Sequence, residues 1–470
     1  MEIVQLLKIA KEKKIEFLDL KFVDLPGLWH HITLPISSLN KMLFKTGVGV
    51  DGSSLAGFSS IERGDMILLP DPETVFIDPF FERPTLSFIG NIMDVSDKIR
   101  PFSRNPRRVA IDAEKYLDRT KKGIKAFFGP EFEFYLFDKV NFYQGPEEAF
   151  YYLDSSEAEW NAARDAENLG YKIPYKKGYH VAPPLDRSFN FRSEISSMLS
   201  KVGIQLKYHH HEVGSAGQHE IEIQFAPLLK MADHSMLVKY FVKNYCFQHH
   251  KSATFMPKPL FNEPGSGLHV HQYLSNSKGS IFFDEKGTAR FSKIGLYYIG
   301  GVLKHVDSLL AFSNPSTNSF KRLVPGFEAP VAGVYSVGNR TACIRIPGYQ
   351  RDASKMRFEF RPSDATMNPY LAYAAMLMAG IDGIKNKIDP GLPLDKNIDD
   401  LSEKELAKIH RLPTSLSKAL NALEKDHQYL LQDGVFTEDL LEHWVDIKRK
   451  EIAELSIRPT PYEFELYYDI

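Results

Sequence analysis

Four short stretches of this chain alternate apolar and ionisable residues with a period of two. In 128–137, Phe132 and Phe134 interleave with Glu131 and Glu133. In 220–225, Glu220 and Glu222 alternate with Ile221 and Ile223. Residues 268–274 put His269 and His271 on one face, and 357–361 set Arg357, Glu359 and Arg361 against Phe358 and Phe360. A strand turns successive side chains to opposite faces, so each stretch predicts an apolar back and an ionisable front. Neighbouring carboxylates on one front repel, and divalent cations or arginines are the usual compensation. One such strand reads equally well as a solvated acidic face. Four of them predict a single sheet lining a charged cavity.

The remaining pattern fills in the architecture. Residues 1–14 read as an amphipathic helix, 15–23 as a strand and 27–35 as its hairpin partner. The Gly-rich segment 47–57 reads as a loop, either a mobile one or one whose backbone approaches a ligand. A last small strand falls at about 87–94, and a boundary near 103 divides the chain into 1–103 and 104–470. Helical spacing recurs over 108–121, 189–202, 232–249 and 293–312, the last after Ser292 as N-cap. Asn368 followed by Pro369 starts a helix over 369–388. Ser402 with Glu405 forms a capping box, and Thr437 caps 438–455. The polar, aromatic stretch 141–178 reads as an irregular insertion. The tail 458–470 holds two prolines and Tyr462, Phe464, Leu466, Tyr467 and Tyr468, so it predicts docking on its own core or on another subunit.

Composition narrows the class. Hydrophobic residues make up 43% and charged residues 25% of the 470, ordinary for a globular chain. The net charge of −2 gives no electrostatic case for nucleic acid or membrane binding. Two cysteines, Cys246 and Cys343, exclude a disulfide scaffold and fit a cytoplasmic location. Neither a signal peptide nor a membrane span is read.

The ionisable set suits hard cations. Glu131, Glu133, Glu212, Glu220, His269 and Glu359 offer carboxylate oxygens and one imidazole, which favour Mg2+ or Mn2+ over zinc. Six ligands exceed what one Mg2+ takes from protein, so two cations are expected. Arg322, Arg340, Arg345, Arg357 and Arg361 supply guanidinium forks for carboxylate or phosphate. Metals plus clustered arginines suggest phosphoryl transfer without a Walker or Rossmann motif. Glu328, in a loop stiffened by Pro325 and Pro330, reads as a lid residue.

In order along the chain, Val50-Asp51-Gly52-Ser53-Ser54, Gly129-Pro130-Glu131-Phe132-Glu133-Phe134, the His209-His210-His211-Glu212-Val213 run to Glu220, the stretch Lys258 to His269, and Asn314 to Gly326 resemble the glutamine synthetase family in its type I bacterial form. The resemblance covers nearly the whole chain. It implies an α+β fold: a small N-terminal β-grasp-like domain and a large domain whose curved antiparallel sheet, a partial barrel, lines the site amid helices. It implies ATP-dependent ligation of ammonia to L-glutamate through γ-glutamyl phosphate, with two Mg2+ or Mn2+ per site. By that likeness Glu133, Glu212 and Glu220 hold one metal, and Glu131, His269 and Glu359 the other. Asp51, Ser54, Tyr179, Glu212 and Glu328 resemble the ammonium site. Glu133, Gly265, His269, Arg322 and Arg361 resemble the glutamate site, and Phe225, His271, Arg340, Arg345 and Arg357 the ATP site. Asp51, Glu328 and Arg340 take the catalytic roles.

The likeness also implies a homododecamer of two stacked six-membered rings, with Asp51 contributed across an interface and the tail docking ring on ring. Four positions depart from the family pattern: Pro264, Lys207, Tyr273 and Ser354. They bear on substrate and nucleotide affinity. In many type I relatives a loop tyrosine is adenylylated; here Asp399 stands in its place. A γ-glutamyl ligase for larger amines and an inactive nitrogen-signalling scaffold are the competing readings. Retention of Asp51, Ser54, Tyr179 and Glu328 argues against the first, and intact metal and arginine sets against the second.

Overall fold

The structure is a computed structural model that describes all residues except 59–63, 96–97, 164–167, 326–328, 397–400 and 408. Near the N-terminus, strands β1 (Phe17–Val23), β2 (Trp29–Pro35), β3 (Val48–Asp51), β4 (Asp65–Pro70), β5 (Phe76–Ile77), β6 (Thr85–Asp94) and β7 (Arg100–Pro101) form one sheet. Its order is β2-β1-β6-β4-β3, with β5 and β7 also on β6. Strands β1 and β6 run parallel and the other pairs antiparallel. Helix Ile3–Glu12 covers it with Leu6 and Ala10, four residues apart and both buried. The segment expected to be a loop from 47 begins instead as β3, because Gly49 and Val50 pair in register with Ile67 and Met66.

The second sheet contains β8 (Lys125–Phe137), β11 (Leu206–His211), β12 (Gln218–Ile223), β13 (Ala226–Pro227), β14 (Ser252–Thr254), β15 (Leu268–Asn276), β16 (Gly279–Ser280), β17 (Ala332–Val337), β18 (Ala342–Ile346) and β19 (Phe358–Phe360). Its path is β11-β12-β8-β15-β19-β18-β17, so the four alternating stretches are consecutive neighbours, as expected. All pairs are antiparallel except β17 with β18, which is parallel. The missing strands of the chain order, β9 (Lys139–Gln144) and β10 (Ala149–Asp154), form a separate hairpin inside the stretch read as irregular. Aromatic and β-branched residues there favour strand over coil.

The apolar back of the second sheet faces helices. Phe128 stacks on Tyr373 at 5.0 Å, and Tyr373 belongs to helix Pro369–Asn386. Burying a ring such as Phe132 contributes about 1.5–3 kcal/mol. The Asn368 side chain caps that helix by accepting the Tyr370 N–H at 3.2 Å. Its amide also donates to the Asp24 and Leu25 carbonyls, tying the helix to the first sheet. A second tie is Arg107, buried in helix Pro106–Thr120, which forks onto both Asp233 oxygens at 2.9 Å and reaches Asp71 at 2.8 Å. Ser292, Thr437 and the Ser402–Glu405 box cap as expected.

Two expectations change. The helix read over 293–312 is two, Lys293–Lys304 and Val306–Ser313. The break falls at His305, whose buried ring is held by Asp382 at 2.9 Å and Asp426 at 2.8 Å and stacks on Tyr429 at 4.0 Å. The tail does not dock on its own core: it forms a short helix, Pro461–Tyr467, whose aromatic residues are exposed. Among the described residues no helix is long and apolar enough to cross a membrane.

Candidate active site

Strand register sets the site. Glu133 lies opposite Glu220, and Glu131 lies between Glu222 on one side and His269 on the other. Glu359 is flanked by His271 and Arg345. Glu131, Glu133, Glu220, His269, Arg345 and Glu359 open into a cavity of about 660 Å³ that Glu212, Tyr179, Gly265, Arg322, Arg340 and Arg361 also line, while Glu222 and His271 are buried behind it.

Among the described residues, two groups of ligand atoms whose members all line the cavity have cation-sized spacing. Glu131, His269 and Glu359 offer atoms within 4.8 Å of one another, as do His210, Glu212 and Glu220. The first group coincides with an expected set. In the second, His210 stands where Glu133 was expected. Glu133 lies between the groups, accepting the Gly267 N–H at 2.8 Å with His269 Nδ1 at 3.6 Å.

The electrostatics differ between the groups. Burial pushes the Glu212 and Glu220 carboxyls well above 4.5, and neighbouring carboxylates, Glu133 among them, add to the rise. Burial also works against ionisation of Glu131, but His271 at 2.8 Å and His269 at 3.0 Å outweigh it and hold that carboxyl well below its ordinary value. Glu359, more deeply buried than Glu131, is nonetheless held at about 2 by Arg361, and it also accepts from Arg345 at 2.7 Å. A carboxylate cluster with this much like charge fits divalent cations: hard oxygen donors, inward-facing and mutually repelling.

A stability difference follows. Glu212 and Glu220 have folded pKa values above their unfolded ones, so the metal-free fold binds extra protons and loses stability as pH rises above 4.5. The lowered groups, Glu131 and Glu359, act below that range. A bound cation favours the ionised carboxylates. The rise in unfolding midpoint on adding Mg2+ should therefore be larger at about pH 8 than at about pH 6. Calorimetry with and without chelator reads it, and an equal or smaller rise at the higher pH would contradict the assignment.

Arginines occupy the rest of the wall. Arg322 is buried and donates to the carbonyls of Pro362, Arg361 and Ser363 at 2.7–3.2 Å, and it lies 3.2 Å from His269. A Cβ on Gly265 would fall 2.7 Å from the Arg322 side chain, so glycine is required there. The Arg361 Nε–H donates to the Arg340 carbonyl at 2.8 Å. The Arg340 guanidinium interacts with Tyr179, which stacks on His180 at 4.1 Å.

Arg357 lies over Phe225 at 5.4 Å and over Tyr349 at 5.9 Å. The Nε atoms of Arg345 and Arg357 are buried and unpaired. His271 is fully buried beside Phe225 and supports Glu131. Of the departing residues, Lys207 pairs with Glu222, and Tyr273 stacks on Phe127 at 5.2 Å. The Pro264 carbonyl accepts from Tyr135 at 2.7 Å, and Ser354 donates to Asp352 at 2.6 Å.

Asp51 and Ser54 are not in this cavity. Asp51 ends β3, and its carboxylate accepts the Ser53 N–H at 2.8 Å and the hydroxyls of Ser53 and Ser54 at 2.7 and 3.0 Å. The Ser53 hydroxyl, its N–H and Ser54 together hold that carboxyl below its ordinary value. Glu328 and Asp399 lie outside the described residues. Reading the sequence left open which ring of the His209–His211 run enters the site, and the structure puts His210 there. The same reading left out Glu222, which lies buried within ligand spacing of Glu131 and His271. Glu222 carried a signal, because alternation put it on the front with Glu220.

Comparison with known proteins completes the description. The family described as "Glutamine synthetase, beta-Grasp domain" matches residues 14–95, and "Glutamine synthetase, catalytic domain" matches residues 103–467. The chain is 48% identical to a glutamine synthetase of Nostoc sp. over 471 aligned positions, 99% of each chain. It is 48% identical to that of Mycobacterium bovis, covering 98% of each. The fold matches a cryo-EM structure of Plasmodium falciparum glutamine synthetase with a TM-score of 0.91 at 28% identity, over 100% of this chain and 99% of that one. It matches a GmaS/ADP complex with a TM-score of 0.82 at 28% identity, over 98% and 99%.

Proposed function

The chain belongs to the glutamine synthetase family, and from that premise we propose how its residues divide the work of joining ammonia to L-glutamate. It is a glutamate–ammonia ligase that uses ATP and divalent metal. The observation that carries the finer reading is the register that lines Glu131, Glu133, Glu220, His269 and Glu359 along one concave front. We assign 1–103 to the β-grasp domain and 104–470 to the catalytic domain with its docking tail.

Two Mg2+ or Mn2+ ions are assigned, one to Glu131, His269 and Glu359 and one to Glu212 and Glu220 with Glu133 or His210. When bound, they neutralise phosphate charge and orient the transferred phosphoryl group. Arg345 and Arg357, with Phe225 and His271 behind them, face the nucleotide. Arg322 and Arg361 hold substrate carboxylate or phosphoryl oxygens, and the Gly265 backbone receives the glutamate amine. A glutamate γ-carboxylate is a poor electrophile, so phosphorylation supplies the leaving group. Ammonium carries no lone pair, so Asp51, with Ser54, Tyr179, Glu212 and Glu328, attracts it and takes a proton. Arg340 joins Arg345 and Arg357 at the ATP phosphates, and closure of the Glu328 loop over the site excludes water from the acyl phosphate.

The assembly is proposed as a cytoplasmic dodecamer of two six-membered rings. Asp51 lies off its own chain's cavity, which supports donation to a neighbour's site. The exposed tail supports contact with a further copy. The defining test is glutamine formation dependent on ATP and glutamate, with ammonium and putrescine compared as acceptors. Oxygen label in the glutamate γ-carboxylate should appear in released phosphate. Phosphate without label would rule out the acyl-phosphate route, and a preference for putrescine would move the chain to amine ligation.

A further inference from the structure

Behind the cavity, on the far side of β11 and β12, lies a buried polar layer that the reaction does not use. Glu157 anchors it. Its Oε1 accepts the Arg187 N–H at 3.1 Å and the Ser188 hydroxyl at 3.3 Å. Its Oε2 lies 3.2 Å from His211 Nε2. The other ring nitrogen of His211, Nδ1, lies 2.7 Å from the carbonyl oxygen of Glu212. Both side chains are almost wholly buried. The ring thus bridges a carboxylate and the backbone of a cavity residue.

That backbone carries two cavity residues. Glu212 itself points forward, and its N–H donates to the Gln218 carbonyl at 2.8 Å. On the other side, the Gly178 N–H donates to the Val213 carbonyl and the His180 N–H to the His211 carbonyl, both at 3.1 Å. Tyr179 sits between those two bonds. A Cβ on Gly178 would come within 2.4 Å of the Glu212 carbonyl oxygen, so the two segments are in direct contact.

Glu157, His211 and His219 also offer three atoms within 4.8 Å, a spacing that would admit a cation. The chemistry of His219 opposes this. The Arg192 Nη1–H donates to its Nδ1 at 2.8 Å, which leaves the hydrogen on Nε2, and the guanidinium charge lies next to the trio. The layer is therefore a support and not a metal centre.

We infer that Glu157 is a positioning residue: through the His211 ring it fixes the backbone from which Glu212 and Tyr179 enter the cavity. The inference rests on the reading of Glu212 and Tyr179 as metal- and ammonium-side residues. Partners one step removed from a metal ligand typically change metal affinity or activity by about 10–100-fold when lost. Glu157 stands two steps away, so the lower end applies.

The test uses the full-length assembled protein. Mn2+ binding is followed by electron paramagnetic resonance without turnover, and KM is measured for ammonium, glutamate and ATP. In Glu157→Gln, Mn2+ affinity should fall and ammonium KM rise, each about tenfold. ATP KM should stay within about twofold. Glu157→Asp, which keeps the charge, should recover part of the loss. Combining Glu157→Gln with His211→Asn should add little to either alone, because both cut one chain of contacts.

Unchanged Mn2+ affinity and ammonium KM would overturn the inference. So would an equal loss in every parameter, the mark of a general structural defect. Should Glu157→Gln not fold, His211→Asn carries the same measurement with the same two outcomes. Should the wild-type protein form no glutamine, the proposed reaction fails while the Mn2+ titration still decides the positioning role.

Discussion

Glu220→Ala should lose at least about a hundredfold in rate at saturating Mg2+, while its metal-free form stays as stable as the wild type or gains stability. The rate loss follows from position. Glu220 is buried in the cavity, opposite Glu133 and within ligand distance of His210 and Glu212. Losing even an outer partner of a metal ligand costs about 10–100-fold, and a direct ligand costs more. The stability term has the opposite sign. Burial and the carboxylates of Glu131 and Glu133 already oppose ionisation of Glu220, so its removal relieves repulsion. Unfolding would lower both quantities together. Glutamine assays and calorimetry in chelator separate the cases, and a near-normal rate in the purified variant would exclude Glu220 from the metal set.

Asp51→Ala should lower turnover by about 10²–10⁴-fold, the range for loss of a group that moves a proton in the reaction. Its carboxylate is already organised, held by Ser53 and Ser54 at 2.7–3.0 Å and ionised below its ordinary range. Yet it is not among the residues that line its own chain's carboxylate cavity. Sharing between neighbours makes a further outcome calculable. Asp51→Ala and Glu328→Ala chains, mixed in equal amounts and allowed to exchange, should regain about a quarter of wild-type activity. A site is intact only when its Asp51 comes from one type and its Glu328 from the other. If each chain built its own site, no mixture would recover. Absence of recovery in proven hybrids would sink the shared-site reading.

The site was more legible in the sequence than much of the scaffold around it. Alternation of Glu131, Glu133, Glu220, His269 and Glu359 with buried aromatic and aliphatic side chains is a local pattern, and a strand converts it directly into one shared front. Capping residues such as Ser292, Asn368 and Thr437 are local too. What was hidden depends on distant partners. The break at His305 exists because Asp382 and Asp426, far along the chain, hold its ring. The parallel pairing of β17 with β18 and the pairing of Val50 with Met66 are likewise set between segments. His210 joins Glu212 and Glu220 only because β11 pairs with β12. The Gly265 contact with Arg322 needs the packed fold before its lack of a side chain has meaning.

The C-terminal helix carries one more consequence. Phe464 and Tyr468 stack on each other at 6.1 Å and on no other ring among the described residues, and Tyr468 is 82% exposed. Covering those rings with another copy, as proposed, makes the free energy of the native form a property of the population and not of one molecule. Dilution then acts as a denaturant. The apparent melting point climbs with concentration, and a freshly made chain at low abundance is the most vulnerable form of the enzyme.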